Sequence, residues 1–271
     1  MSPSTTSTAR DASKNPVFRG LARSGFAING LLHILIGGIA ISVALAGGEG
    51  GEADQSGALR QVSGSPGGAF VLWVAVVGLF ALGVWQLVQL PLIDKGDTKK
   101  TWGRRFVEGA KGVVYLAIGA TVLTFALGGS SSSSDSSQTL SAQLLATPGG
   151  VFLLVALGLV VLGIGVGFVA IGVRRGFTKQ ITVPGGSAGR AVVALGVVGY
   201  VAKGIALGVV GVLFVVAAAT FDPEKASGLD GALKRLADLP YGVAILVAVG
   251  VGFIAYGIFQ IARAKLARLD R

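Results

Sequence analysis

Few residues in this chain have side chains that can do chemistry within its long apolar runs, and they recur at regular intervals. Asn29, Lys111 and Lys203 each stand directly before a glycine (Gly30, Gly112 and Gly204) where an apolar run opens. Glu108 precedes Lys111 by three residues, a separation that pairs opposite charges on one helix face. His33, the single histidine, follows Asn29 by four. Gln86, Phe168 and Gln260 occupy the matching depth in the runs that return. Read as membrane-spanning helices, the chain thus places Asn29, His33, Gln86, Glu108, Lys111, Lys203 and Gln260 in a polar layer of the inner leaflet. Ionisable groups at such depth are costly and mark candidate sites. The chemistry on offer is that of cations and amides: contact with an anion or a lipid phosphate through the lysines, and hydrogen bonding through the amides. His33 adds a group that titrates near neutrality. Two arrangements fit the lysines. Around a common axis, Lys111 and Lys203 line a basic vestibule. Turned outward, they snorkel to headgroups, which is the preferred reading. For His33 the preferred reading is a neutral ring hydrogen-bonded between helices.

Other chemistries lack their residues. No acid lies in the interior of any apolar run, Glu108 coming nearest, which weighs against proton- or sodium-coupled carriers. Ser42 and His33 share one segment nine residues apart, with no nucleophile turn around the serine. There is no cysteine and only one histidine, so thiolate and multi-histidine metal centres have no ligands. Gly163-Ile164-Gly165-Val166-Gly167 resembles a fragment of a dinucleotide loop, but no strand precedes it. No catalytic residue, cofactor or metal is expected, and no enzymatic activity.

The elements that position these residues are repeats. Ser65-Pro66-Gly67-Gly68 opens an apolar run, as do Thr147-Pro148-Gly149-Gly150 and Leu239-Pro240-Tyr241-Gly242. A glycine follows each proline by 17 residues: Gly83, Gly165 and Gly257. From Gly30, Gly112 and Gly204 to the next such proline is 36 residues in every copy. A unit of two apolar segments is therefore used three times. Residues 24–48, 61–93, 136–173 and 239–262 carry no charge, and each exceeds the roughly 20 residues a helix needs to cross the hydrocarbon. Residues 112–134 and 204–221 are nearly as clean. The runs are apolar on every side, which favours helices over barrel strands. The fold class is an all-α integral membrane protein: six transmembrane helices in three tandem hairpins with pseudo-threefold order. The spans are about 26–46, 69–90, 106–127, 150–173, 192–219 and 241–262.

The net charge of +10 is distributed by side. With the N-terminus cytoplasmic, the inner segments hold 4, 6, 5 and 4 Lys/Arg, nineteen of the 23, against five of the 13 acids. That bias sets orientation with both termini in the cytoplasm. Basic juxtamembrane segments favour anionic lipid headgroups, at about 1 kcal/mol per charge, and nucleic acid is not expected as a partner. Residues 1–21 read as a disordered cytoplasmic terminus. The hairpins occupy 22–93, 104–175 and 191–266, and a cytoplasmic tail covers 267–271. Ala44-Leu45-Ala46 mimics a secretory cleavage site, but the segment is the repeat partner of two later ones and is expected to be retained. Leu229, Leu233, Leu236 and Leu239 fall at helical spacing and predict an amphipathic helix on the outer membrane surface. Ser130–Ser137 reads as a solvated linker. The prolines are expected at the first position of each return helix. Small residues at fourfold spacing, Gly38-x3-Ser42-x3-Ala46, Gly163-x3-Gly167 and Gly204-x3-Gly208, predict close packing within the bundle.

Gly199-Tyr200-Val201-Ala202-Lys203-Gly204 resembles the start of a repeat in a bacterial membrane family, domain of unknown function 1206. So does the stretch from Gly228-Leu229-Asp230-Gly231-Ala232-Leu233-Lys234-Arg235-Leu236 into Leu239-Pro240-Tyr241-Gly242. The resemblance covers about residues 22–266 and is weakest in the second copy, where serines replace the Gly-Ala-Leu segment. It implies a helix pair occurring three times in a bacterial, chiefly actinobacterial, cytoplasmic membrane, and it implies no activity, cofactor or site residue. The expected function is non-enzymatic: a lipid-interacting protein or an accessory to a membrane-protein complex of the envelope. A channel or carrier for a small solute or anion is the alternative.

Overall fold

The computed structural model describes residues 16–46, 51–88, 98–237 and 240–267. Among them are nine α-helices and no strand. Long apolar helices are α1 (Pro16–Leu45), α3 (Gly68–Val88), α4 (Thr98–Ala126), α6 (Gly150–Val173), α7 (Gly186–Thr220) and α9 (Gly242–Leu266). Three short helices separate the members of each hairpin: α2 (Gln55–Ser63), α5 (Ser133–Leu145) and α8 (Gly228–Ala237). Among the described residues four helices are long and apolar enough to cross a membrane: α1 through Gly25–Leu45, α6, α7 and α9. Helices α3 and α4 contribute shorter apolar stretches, Gly68–Ala81 and Gly112–Ala126, among the described residues. The chain divides into two units, one holding Leu59–Ser131 and the other Pro16–Ala58 with the residues from Ser132 onward.

Each return helix starts from the same turn. Gly68 and Gly150 donate their backbone N–H to the carbonyls of Ser65 and Thr147, both at 2.9 Å. The third residue of each turn has positive φ: Gly67 at 79°, Gly149 at 77° and Tyr241 at 63°. Proline followed by a positive-φ residue is the pattern of a type II turn. The prolines therefore stand two residues ahead of each helix, not at its first position, because the turn needs their fixed φ. The next glycine is required sterically. A Cβ on Gly68, Gly150 or Gly242 would collide with the carbonyl of Val62, Leu144 or Ala237.

The glycines that mark the repeat meet one another. A Cβ on Gly30 would lie 2.6 Å from the Gly257 carbonyl, and one on Gly165 would lie 2.7 Å from the Gly204 carbonyl. Seven residues along, the pairing recurs. A Cβ on Gly250 would sit 2.8 Å from the Gly37 carbonyl, and one on Gly211 would sit 2.7 Å from the Gly158 carbonyl. Helices α1 and α9 thus cross antiparallel through Gly30/Gly257 and Gly37/Gly250, and α6 and α7 through Gly165/Gly204 and Gly158/Gly211. A seven-residue recurrence keeps one seam in register between two helices. Within the other unit, α3 meets α4 at Gly83/Gly112, more loosely, with the built Cβ 3.2 Å from the Gly112 carbonyl. The fourfold stripes are not the main seams. Nothing lies within 4 Å of a Cβ on Gly38, Gly163 or Gly167; of the three stripes only Gly204-x3-Gly208 lies at a crossing, where a Cβ on Gly165 would meet the Gly204 carbonyl at 2.7 Å and the Gly208 nitrogen at 2.8 Å.

The short helices pack on protein. Leu233 is fully buried, with Ala53, Ala58, Leu246 and Phe253, and Leu229 and Leu236 pack against the same cluster. The apolar face of α8 is therefore spent on the core of its unit, not on a membrane surface. From Ser133 onward the serine run is helix. Ser132 caps α5 by accepting from the Asp135 amide, Ser56 and Ser133 share a hydrogen bond at 2.6 Å, and Ser134 donates to the Ser227 carbonyl at 2.7 Å. Asp54 caps α2 by accepting from the Gly57 amide at 3.1 Å, while Asp230 accepts from the Ala53 amide at 2.9 Å and pairs with Lys234 at 2.8 Å.

Candidate functional site

At the level of the Gly30/Gly257 and Gly165/Gly204 contacts, four helices of one unit bring polar and aromatic side chains together. Lys203 lies next to Gly204 on α7, so the tight α6/α7 crossing holds the start of its side chain between helices. Its Nζ reaches His33 Nε2 on α1 at 3.0 Å. The ammonium also lies over the ring of Tyr256 on α9, 4.7 Å from its centroid, and over that of Phe168 on α6, at 5.2 Å. Cations over ring faces are attracted by the ring quadrupole, more strongly where water is excluded. The expectation that Lys203 snorkels is therefore corrected: an acceptor and two ring faces compensate its charge inside the protein, so it need not reach a headgroup.

His33 is almost fully buried. Its Nδ1 lies 2.7 Å from the Asn29 carbonyl, one helical turn back. A carbonyl can only accept, so Nδ1 carries the proton and Nε2 presents its lone pair to Lys203. The ring is neutral, and the pair carries one positive charge. Tyr256 flanks the imidazole at 4.8 Å between centroids, and Phe253 stacks at 5.9 Å. Behind them Tyr200 meets Tyr256 edge to face at 5.3 Å and stacks on Phe177 at 5.2 Å. Phe177 comes from a 3-10 turn, Gly176–Gln180, after α6.

Of the residues singled out in the sequence, His33 and Lys203 are in direct contact, and Asn29 joins them through its backbone oxygen. Gln260 lies one turn beyond Tyr256 on α9. It is 3% exposed, and its Oε1 has no hydrogen-bond partner among the described residues. Arg263, a turn further, covers the Phe26 ring at 4.5 Å and donates to the Gln180 side chain. Gln86 lies on α3, and Glu108 and Lys111 on α4; their side chains lie outside the described residues. Sequence reading missed Phe168, Tyr256, Phe253 and Tyr200 as walls of the site. A signal was present: Phe168 holds the slot that glutamine fills in the other two copies, and Tyr200 and Lys203 share a helix face at i, i+3.

An all-helical chain made of repeated hairpins, with four helices fit to cross a bilayer, defines a class: polytopic helical membrane proteins of tandem two-helix units. The chain belongs to the family described as Domain of Unknown Function (DUF1206), whose model matches residues 24–89, 109–175 and 198–267, one segment per repeat. It is also 30% identical over 252 residues to a protein of Bacillus subtilis (strain 168) called uncharacterized protein YxxB, covering 91% of this chain and 90% of that one. No solved structure matches the chain.

Proposed function

We propose that this is a non-enzymatic, six-span protein of a bacterial cytoplasmic membrane that works by contact with lipid and accompanies a larger envelope complex. The reading rests on one observation above others. Along α6, an uncharged run of 24 residues, only 17% of the apolar stretch is buried within the protein, and Phe152, Leu153, Val160 and Val166 stand exposed. Exposed apolar surface on that scale calls for hydrocarbon or a membrane partner. Arg174 and Arg175 follow directly, where anionic headgroups would meet them. Six crossings in pseudo-threefold order, with both termini cytoplasmic, are part of the proposal. Their support is the repeat equivalence of Gly83/Gly112, Gly165/Gly204 and Gly257/Gly30 together with the charge bias of the loops. Extraction of the full chain in native-lipid particles tests the function: co-purifying anionic lipid or a defined membrane protein is the expected result. A lipid-free, partner-free monomer would count against it.

A second reading, a channel or carrier for a small solute or anion, draws on the meeting of His33 and Lys203 between helices. Flux through liposomes carrying the protein, compared with Lys203→Ala, checks it. Absent flux, or flux indifferent to the substitution, removes that reading.

A further inference from the structure

We propose that Lys203 and His33 form a one-proton latch joining α7 to α1, which opens when the pair takes up a second proton. The two nitrogens are 3.0 Å apart, a distance that requires one of them to offer a lone pair. The Asn29 carbonyl holds a hydrogen on Nδ1, and because an amine is more basic than an imidazole the shared proton sits on Nζ, leaving Nε2 to offer the lone pair. With one proton shared between Nζ and Nε2, the contact is a charge-assisted hydrogen bond. With two, both nitrogens bear hydrogens and positive charge at contact distance, and the bond becomes a repulsion.

What surrounds the pair makes the second state hard to accommodate. Helix α6 contributes Phe168, and α9 contributes Tyr256 and, farther along, the cation Arg263. Helix α7 contributes Tyr200, and α1 contributes His33 itself. None of α1, α6, α7 and α9 contains an Asp or Glu within its helical span. A second charge therefore finds no counter-ion on any helix that packs around the pair, and ring faces already occupied by one ammonium offer little to another. Movement is the remaining way to relieve the repulsion. The α7 side of the latch is held at its base by the Gly165/Gly204 crossing. The α1 side is held by Gly30/Gly257. Helix α9 is also seated on α7, where a Cβ on Gly199 would lie 2.5 Å from the Tyr256 backbone, so separation of α1 from α7 is a small displacement of α1 past that contact, on the scale of about 1–2 Å that helix shifts take.

The chain suits a direct test, since it has one histidine and no cysteine. Full-length protein in lipid nanodiscs, labelled with 15N-histidine, reports the protonation of His33 alone. Spin labels on Leu31→Cys and Ile205→Cys, both exposed positions, report the α1–α7 distance. The expected result is that acidification converts His33 to imidazolium and lengthens that distance over the same pH interval. In Lys203→Met the same protonation leaves the distance unchanged, because no second cation is present. In His33→Gln, whose side-chain oxygen still accepts from Lys203, the distance is pH-independent. A wild-type His33 that stays neutral to the acid limit of folding overturns the latch. So does a His33 that titrates with no change in distance, or a distance change that persists in His33→Gln.

Discussion

The crossings α1/α9 and α6/α7 carry two reciprocal glycine pairs each, whereas α3/α4 carries one. At the position where symmetry calls for a partner to Gly119, α3 has Val76, and a Cβ on Gly119 would meet the Phe80 ring at 3.2 Å rather than backbone. The remaining pair is looser between backbones, with a built Cβ 3.2 and 3.3 Å from the opposing carbonyl and closer to Leu116 and Leu87 side chains, against 2.8 Å or less to the opposing carbonyl in the tight crossings. The difference teaches that glycine content as such does not bring backbones together, since Gly38, Gly78, Gly163 and Gly167 meet nothing, while a lone Gly199 on α7 brings its built Cβ to 2.5 Å from the Tyr256 backbone of α9. Two pairs seven residues apart lock a crossing; one pair leaves room for side chains.

The largest effect expected from breaking that comparison is at Gly204. In Gly204→Val the new side chain faces the Gly165 carbonyl and the Val169 amide, backbone that cannot turn away. A loss of about 3 kcal/mol or more is expected, at the upper end of overpacking costs, seen as a lower midpoint in denaturant-induced unfolding in micelles. Gly119→Ala, on the same scale, is expected to change stability by less than about 1 kcal/mol, because the Phe80 ring need move by only a few tenths of an ångström. Equal losses at the two sites would break the distinction.

Next in size is Asp54, in the segment that leads into α2. Burial pushes the Asp54 carboxyl above its ordinary value of 3.8; the Gly57 amide pulls it back, and Glu52 and Asp230 push it further up. A folded-state value above the unfolded one means that the ionised form opposes folding. Stability at this group is therefore highest below pH 3.8 and falls as pH rises to the raised value, then levels. Asp54→Asn keeps the oxygen that caps α2 and removes the ionisation. Its unfolding midpoint is expected to match wild type in acid and to exceed it near neutrality. A mutant that is less stable at both ends would show that the charge itself is needed.

The smallest effect is at Tyr241, which adopts the left-handed conformation that Gly67 and Gly149 adopt in the other copies. Its side chain is 88% exposed, so it contributes little packing. Tyr241→Gly is expected to gain about 0.5–1 kcal/mol, the left-handed penalty less the backbone entropy of glycine, measurable as a small rise in thermal midpoint.

Much of this fold was legible in the chain. Gly30, Gly112 and Gly204, with Gly83, Gly165 and Gly257, gave the repeat and its helices. They did not reveal that the two sets touch, because periodicity assigns positions and not partners. The contacts run between the second helix of one copy and the first helix of another. At the site, the expected hydrogen bond of His33 between helices is present, to Lys203 of α7. Lys203 was misplaced because, with no acid nearby in sequence, the water boundary was the only evident destination; the acceptor lay 170 residues away. Ser130–Ser137 was misread for a similar reason. Serine has weak helix propensity, and the partners that order it, Ser56 and the Ser227 carbonyl, are remote.

The seams run from copy to copy, and this bears on ancestry. A gene for a lone hairpin would make a product with an unmated glycine groove on each flank, each complementary to the other. Such a product has every reason to self-associate. Tandem duplication places the mates on one polypeptide, and what was governed by dilution becomes an intramolecular event at a high effective concentration. Expressed singly, the third hairpin of this chain is accordingly the fragment in which to look for relic homo-oligomers.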